Sequence, residues 1–224
     1  MTTTHDKWLN MRLGQFSASQ IHRLLTTERG GHGFGQTAIT YIKEIVAEML
    51  TGERKPSVSS RSIEWGNDHE AMAMDFYIAK IAETRHATSV QYFGGENPVF
   101  FAIPGIPAGG SPDGLIKRKK VIEIKCPYDT VNHIENSIMT LDEFQKSRKE
   151  YYAQLQLNMI ATQTEKADFC SFDPRIIDDR GKLAILEVPL NYSFCNNMMH
   201  RIQEAADIRD TIYRTFKTLR REAA

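Results

Sequence analysis

The sequence predicts a layered fold of the α/β or α+β class, in which helices flank a central mixed β-sheet. Patterns typical of helices occupy both ends of the chain, whereas patterns typical of strands lie in its middle. The chain has 224 residues, of which 41% are hydrophobic, and this is enough to build one sizeable core. No repeat or linker-like composition divides it, so we expect a single domain over residues 1–224.

Three helices are predicted in the first part of the chain. The segment Ser-Ala-Ser-Gln at 17–20 is a candidate capping box in front of an apolar helical stripe. A second helix is predicted over 37–51, with Gly52 as its stop signal, and a third over about 62–83. The glycine-rich segment 28–35 is predicted to be a loop.

The rest of the chain alternates between strand and helix signals. Apolar runs bounded by turn residues predict strands at 89–93, 99–103, 115–117, 121–126, 167–172 and 183–188. The Gly/Pro-rich segment 103–112 is predicted to be a loop. Residues 141–161 are predicted to be mainly helical, and a long helix is predicted over 192–220.

Composition limits the classes of protein that the chain can belong to. Lys+Arg and Asp+Glu both number 28, so any contact with nucleic acid must come from a local arrangement of charge. Cys126, Cys170 and Cys195 lack the spacing of a zinc cage or an iron–sulfur site, and their odd, sparse number argues against a disulfide framework. No stretch is apolar enough for a signal peptide or a membrane span, so we expect a protein of the cytoplasm.

The segment 111–127, SPDGLIKRKKVIEIKCP, carries the candidate chemistry. If residues 117–119 form a hairpin turn, Asp113 lies across the ladder from Glu123, with Cβ atoms roughly 5 Å apart. Strand alternation places Glu123 and Lys125 on one face and apolar side chains on the other. We expect the apolar face to meet the core, and Glu123 and Lys125 to lie side by side on the opposite surface.

Asp113, Glu123 and Lys125 form a set that suits a divalent cation. Two facing carboxylates need a positive charge between them, and Mg²⁺ typically takes one or two carboxylates together with water and phosphate. An adjacent lysine could hold or deprotonate an attacking water, so the set predicts phosphodiester hydrolysis. The alternative is that these are solvated strand and turn residues, because a bare Asp…Glu-x-Lys pattern also occurs by chance.

Further sequence blocks accompany this segment. They are W…RLG…SAS at 8–19, EWGNDHE at 64–70, YYAQLQ at 151–156 and FDPR at 172–175. Together with SPDGL and EIKCP, these blocks resemble the phage lambda exonuclease family, the viral recombination alkaline exonucleases of the PD-(D/E)xK superfamily. The resemblance covers residues 8 to about 175, and it implies a restriction-endonuclease-like core and a metal-dependent exodeoxyribonuclease.

The resemblance implies a role for each matching residue of the metal centre. Asp113, Glu123 and the backbone carbonyl of Ile124 would bind Mg²⁺, for which Mn²⁺ could substitute. Lys125 would position or activate the attacking water.

Two residues outside the segment would complete the active site. Gln154 would stand beside Lys125, and Glu70 would add a carboxylate. The residues alone also allow Gln154 to bond a buried backbone group and Glu70 to be an ordinary charge on a helix surface.

The family also has a pocket for the terminal 5′-phosphate, and the matching residues here are Arg12, Ser19 and Arg29. A guanidinium suits phosphate geometry, and a helix N-terminus favours anions. Ile63 falls at the position of an apolar wedge that splits the end of the duplex. The residues alone allow a solvated Arg12, a helix-capping Ser19 and a core Ile63. An Asp of the lambda member has no counterpart, because apolar residues occupy 100–103.

The resemblance implies a 5′→3′ exonuclease that digests linear double-stranded DNA and leaves 3′ single-stranded overhangs for recombination. It further implies a ring-shaped homotrimer, a single-strand annealing recombinase as partner, and a phage or prophage origin in a bacterial host cell. The alternatives are an endonuclease of repair or restriction type with the same core, and a DNA-end-binding scaffold without activity.

Overall fold

The computed structural model describes residues 3–31, 33–54, 59–82, 90–95, 97–116 and 119–222, with side chains to 219. Within these ranges the helices are α1 (Thr4–Arg12), α2 (Gln36–Thr51), α3 (Arg61–Ile81), α4 (Thr130–Ile138), α5 (Leu141–Ser147), α6 (Lys149–Thr162), α7 (Asp179–Lys182) and α8 (Tyr192–Glu222), with a 3₁₀ helix at Ala18–Leu25. The strands are β1 (Phe16–Ser17), β2 (Val90–Tyr92), β3 (Phe101–Ala102), β4 (Ala108–Gly110), β5 (Gly114–Ile116), β6 (Lys120–Lys125), β7 (Lys166–Phe172) and β8 (Leu183–Pro189).

The strands form two sheets. A three-stranded sheet has the order β1-β4-β3, and a five-stranded sheet has the order β2-β5-β6-β7-β8. In the larger sheet β6 and β7 run parallel, while the other neighbouring pairs are antiparallel. The predicted class, a mixed sheet flanked by helices, is therefore confirmed, although the strands divide into two sheets rather than one.

Helices cover both faces of the five-stranded sheet. On one face, α3 contributes Tyr77 to a core that contains Ile122 of β6. On the other face, α5 and α6 contribute Phe144 and Leu155 to a core that contains Val121. All four of these side chains are fully or almost fully buried, as is Val121, so β6 is a central strand with no open side.

This packing corrects the predicted surface position of Glu123 and Lys125. Strand alternation was predicted correctly, but the face that carries Val121 is covered by α6. Glu123 is consequently only 1% exposed, and the Lys125 side chain is 26% exposed. The prediction was wrong because it assumed that only the apolar face of the strand meets a core.

A second layer of helices packs the N-terminal segment against α6. The 3₁₀ helix, α2 and α8 pack with α6 around side chains that include Phe16, Ile42, Leu157 and Ile202, all of them fully buried. Phe16 belongs to β1, which pairs in parallel with β4. Because β4 leads directly into the segment before Asp113, this pairing places the N-terminal residues beside the hairpin.

Other local predictions differ from the structure. The candidate capping box at 17–20 is not formed: the Ser17 side chain makes no cap bond, and its Oγ lies 3.4 Å from the Ser19 Oγ. The predicted loop 103–112 contains β4, whose Gly110 lies so close to α6 that a Cβ there would overlap the Asn158 amide. The predicted helix at 141–161 is interrupted at Arg148, which has φ −114° and ψ 48°.

The remaining predicted helices and strands occur at or near their expected positions. Gly52 ends α2 in the left-handed conformation, with φ 74°, as its stop signal predicts. Some predicted positions lie outside the described residues: the end of the helix predicted to reach 83, the start of the strand predicted from 89, and residues 117 and 118 of the hairpin turn predicted at 117–119. Within the part of the chain that the structure covers, no helix is both long enough and apolar enough to cross a bilayer.

Candidate active site

The β5–β6 hairpin brings Asp113 and Glu123 together. Gly114 pairs with Ile122 and Ile116 with Lys120, so the register, continued by one residue, sets Asp113 opposite Glu123. This is the pairing that the sequence predicts. The Asp113 Oδ2 atom also accepts a 2.6 Å hydrogen bond from the backbone N–H of Ile124, which holds the carboxylate against β6.

Side chains from α6 fix the Glu123 carboxylate from the other side. Its Oε1 accepts hydrogen bonds from Lys125 Nζ at 2.6 Å and from Gln154 Nε2 at 2.5 Å, and its Oε2 accepts one from Asn158 Nδ2 at 3.0 Å. Gln154 therefore bonds the Glu123 carboxylate rather than a buried backbone group. Asn158 was missed from the sequence, although it lies one helical turn after Gln154 and so shares its face.

Three carboxylates meet near a single ammonium group, that of Lys125. Burial, followed by the charge of Asp113, raises the pKa of Glu70 to about 7 and the pKa of Glu123 to about 8. Burial also raises the pKa of Asp113. Burial alone would lower the pKa of Lys125, but the charges of Glu123 and Asp113 outweigh it and raise that pKa. These raised pKa values reflect acidic side chains that compete for the Lys125 ammonium, so a further cation would favour their ionised forms.

This donor set suits a divalent cation. Among the described residues, no group of three His, Cys, Asp or Glu side chains is arranged to hold a metal by itself. Mg²⁺ needs fewer, because it usually keeps several waters and binds one or two carboxylates plus substrate phosphate. The strand register sets the carboxylates of Asp113 and Glu123 opposite each other, so the hairpin supplies the two carboxylates, and a cation would offset their mutual repulsion.

A cavity of about 230 Å³ extends from the carboxylates to the N-terminal segment. Its lining includes Arg12, Ser19, Glu70, Asp113 and Gln154, so the structure brings these five predicted site residues together. Glu70 is further held by the Tyr92 hydroxyl, which donates to its Oε1 at 3.0 Å. The alternative of an unattached surface charge does not describe Glu70.

Arg12 is a half-buried cation whose Nε is an unused donor. Its guanidinium stacks on Trp8, 4.1 Å from the ring centroid, and its Nε is buried without a hydrogen-bond partner among the described residues. Burial, and then the charge of Arg54, lower the pKa of Arg12 to about 10. Trp8 in turn donates its Nε1–H to Ser111 Oγ at 2.9 Å, two residues before Asp113. An anion in the cavity would supply the partner that Arg12 lacks.

Two predicted site residues lie elsewhere. Arg29 is exposed in the glycine-rich loop and is not among the residues that line the cavity at Arg12. Ile63 is 48% exposed, and it lines a second cavity, of about 620 Å³, on the other side of Glu70. The alternative that Ile63 belongs to the core is therefore wrong, because its side chain lies at the surface of α3.

A hairpin that presents Asp113, Glu123 and Lys125, on a mixed sheet between helices, defines the class of this protein: it is a nuclease of the lambda-exonuclease type. The model of the YqaJ-like viral recombinase domain matches residues 7–165, and the chain belongs to that family. No curated protein sequence matches the chain.

Solved structures agree with this assignment. The alkaline exonuclease LHK-Exo of Laribacter hongkongensis, in a crystal structure with dAMP, is 25% identical, with a TM-score of 0.79 over 98% of this chain and 100% of that one. A second structure of LHK-Exo, at 24% identity, has the same TM-score and coverage. A phage-related exonuclease from Haemophilus somnus 129PT shares the fold, at 17% identity and a TM-score of 0.67, over 90% of this chain and 96% of that one.

Proposed function

We propose that the protein is a Mg²⁺-dependent 5′→3′ exonuclease that digests one strand of linear double-stranded DNA and leaves a 3′ single-stranded overhang. The observation that carries this proposal is the cavity that joins Arg12 to the carboxylates. Arg12 and Ser19 would bind the terminal 5′-phosphate, and the next phosphodiester of the strand would then lie near Asp113 and Glu123. A nuclease that anchors the end of its substrate in this way cuts from that end.

The chemical roles follow from the contacts. Asp113, Glu123 and the Ile124 carbonyl would hold the metal ion, which supplies a polarised phosphodiester and an acidified water when it is bound. Lys125, 2.6 Å from Glu123, would hold the attacking water and stabilise charge on the phosphate oxygens. Gln154 orients the Glu123 carboxylate from α6.

The structure of LHK-Exo in complex with dAMP supports release of single nucleotides. A deoxynucleoside monophosphate is the product expected when an enzyme anchors a 5′-phosphate and hydrolyses the next linkage. In this proposal Glu70, which lines both cavities, adds negative charge near the metal, and Ile63 meets the end of the duplex. Arg29 could reach DNA only from its exposed loop.

For the assembly we propose a ring-shaped homotrimer that acts with a single-strand annealing recombinase in the cytoplasm of a bacterial host. The zero net charge of the chain is compatible with a ring, since basic groups could line a channel while acidic groups face outward. Light scattering at working concentration tests this part, and a monomer would contradict it.

The central experiment is a time course on linear duplex DNA labelled at the 5′ or the 3′ end, with Mg²⁺ or with EDTA. We expect the 5′ label to appear first as a mononucleotide, while the 3′ label stays on a shortening strand, and no release in EDTA. Release of the 3′ label first would overturn the polarity. Cutting of covalently closed plasmid would instead indicate the endonuclease alternative.

A further inference from the structure

The second cavity adjoins the first at Glu70, and Arg12 is not among the residues that line it. Glu70 lines both cavities, while Ile124 and Lys125 line only the second. Tyr151 and Arg148, at the start of α6, form part of its opposite wall. Its volume of about 620 Å³ is more than twice that of the first cavity, which is about 230 Å³.

A buried chain of hydrogen bonds holds Arg148 in this wall. Arg148 Nε donates to Asn136 Oδ1 at 3.0 Å, and Asn136 Nδ2 donates to Ser171 Oγ at 3.4 Å. His133 Nδ1 lies 3.0 Å from Ser171 Oγ, and His133 Nε2 lies 2.9 Å from the Gly181 carbonyl oxygen. The chain therefore runs from the backbone of α7 through α4 and β7 to the guanidinium.

The direction of this chain is fixed by its last acceptor. A carbonyl oxygen only accepts, so His133 Nε2 must carry the proton that it donates to Gly181. In the neutral ring Nδ1 then accepts from the Ser171 hydroxyl, which leaves the Ser171 oxygen to accept from Asn136. The Asn136 amide is thereby oriented with its oxygen toward Arg148.

The residues that form this chain of hydrogen bonds are buried. His133 is 2% exposed, Asn136 is 6% exposed and Ser171 is 1% exposed, and buried polar groups reduce stability unless they are paired. Arg148 also donates its Nη2 to Glu135 Oε2 at 2.6 Å, on the exposed side. Within the described part of the chain these two bonds use two of the five guanidinium N–H groups, and three remain for a ligand.

We propose that the second cavity binds a backbone phosphate of the digested strand, on the 3′ side of the bond that is cut, and that Arg148 is the residue that binds it. This rests on the proposed function, because a 5′-phosphate at Arg12 directs the following nucleotides past the carboxylates into the second cavity. A guanidinium held in one orientation is suited to bidentate contact with a phosphodiester.

The second cavity is lined by three acidic residues, Glu70, Asp129 and Glu150, and by two basic ones, Lys125 and Arg148. Asp129 lines the cavity, but its Oδ1 accepts the Val131 N–H at 2.9 Å and caps α4. Glu150 is exposed at its edge. Lys125 is paired with the buried Glu123, whereas the partner of Arg148, Glu135, is an exposed carboxylate that is not among the residues lining the cavity. The cavity is thus not uniformly basic, and a single oriented arginine selects one phosphate rather than a general polyanion.

The experiment measures binding of a linear duplex with a 5′-phosphate to the full chain, with Ca²⁺ in place of Mg²⁺. One uncharged methylphosphonate is placed in turn at each of the first six linkages of either strand. In the wild-type protein we expect one linkage of the 5′-phosphorylated strand, beyond the first, to weaken binding about tenfold when it is neutral. Arg148→Ala should weaken binding of unmodified duplex by a similar factor and lose its sensitivity to that linkage alone. It should also reduce the slope of log K against log salt by about 0.9.

Companion variants separate binding from folding. Arg148→Lys keeps a charge but loses the Nε bond to Asn136, and we expect intermediate binding with the same linkage dependence. Arg180→Ala is the control, because it also removes a guanidinium, but one that is 91% exposed and paired with Asp178, so binding and salt slope should not change. The proposal is overturned if Arg148→Ala and a neutral linkage weaken binding independently of each other at every linkage tested. It is also overturned if the only sensitive linkage lies in the complementary strand. Failure of the proposed function would appear separately, as absence of 5′ nucleotide release by the wild-type protein in Mg²⁺.

Discussion

Replacing Arg12 by methionine should make the protein more stable and, at the same time, abolish its preference for DNA ends that carry a 5′-phosphate. Burial, and then the charge of Arg54, lower the pKa of Arg12 from 12.5 to about 10. A cation whose pKa is lower in the folded than in the unfolded state destabilises the fold wherever it is charged in both, here at every pH below about 10. Its buried Nε, which has no hydrogen-bond partner within the described part of the chain, has the same effect.

The magnitude follows from the same values. A fall in pKa from 12.5 to about 10 corresponds to about 3 kcal/mol. Methionine keeps an unbranched stem over Trp8 but loses the cation–π contact, which contributes about 0.5–2 kcal/mol. We therefore expect the free energy of unfolding to rise by about 1–3 kcal/mol, which for a chain of this size is about 2–12 °C in Tm.

Two assays check the two halves of this prediction. Urea unfolding and thermal melts measure stability, and inorganic phosphate should stabilise the wild-type protein but not Arg12→Met, because only the former has the anion site. Initial rates on 5′-phosphorylated and 5′-hydroxyl duplexes measure function. The variant should lose about ten- to a hundredfold on phosphorylated ends and little on hydroxyl ends.

Arg23→Met provides the matched control. Arg23 also stacks on an aromatic ring, 4.6 Å from the centroid of Tyr41, but it is paired with Glu44 at 2.7 Å. Its replacement should lower stability slightly and leave the preference for a 5′-phosphate intact. If Arg12→Met lowers stability in the same way and the preference survives, Arg12 does not await an anion and the reasoning fails.

Three further predictions concern the centre and its surroundings. Asp113→Asn and Lys125→Ala should each reduce cleavage of linear duplex by about a hundredfold or more, with Tm measured in parallel to show that the fold persists. Asn158→Ala removes the donor to Glu123 Oε2 and should lower kcat about tenfold while KM changes little. Burial alone would raise the pKa of Asp173, but hydrogen bonds from Arg175 lower that pKa to about 2. The ionised Asp173 therefore contributes its full stabilisation above about pH 4, and this stabilisation is lost as the pH falls through about 2. Arg175→Ala should consequently move acid unfolding to higher pH, measured as Tm against pH.

The sequence could predict the hairpin because its determinants are local. Asp113, Glu123 and Lys125 lie within 13 residues, and strand periodicity alone sets which of them face one another. Nothing so local reports that Trp8 bonds Ser111, 103 residues away, or that α6 covers the face that carries Glu123. Those contacts depend on tertiary packing. The close approach of α6 depends on Gly110, which the sequence shows only as one residue of the Gly/Pro-rich segment 103–112.

Predictions from the resemblance differ in the same way. Arg12 and Ser19 flank β1 in the sequence, and both reach the cavity because β1 pairs with β4, which leads toward Asp113. Arg29 follows a different rule: it lies in an exposed loop, where sequence position does not fix the direction of a long side chain. The polar chain behind Arg148 joins residues from α4, β7 and α7, so neither periodicity nor a motif could have revealed it.

The zero net charge of the chain predicted that contacts to nucleic acid must be local, and the charges near the hairpin have that character. Arg12 lines one cavity together with Asp113, Arg148 lines the other together with Lys125, and Glu70 lines both. In the proposed mode two phosphates of one strand bind the two arginines, and the phosphate between them meets the carboxylates, where attraction requires a divalent cation. Repulsion without the metal and attraction with it would then make both binding at the cut and hydrolysis depend on the same ion, while the arginines set which linkage is cut.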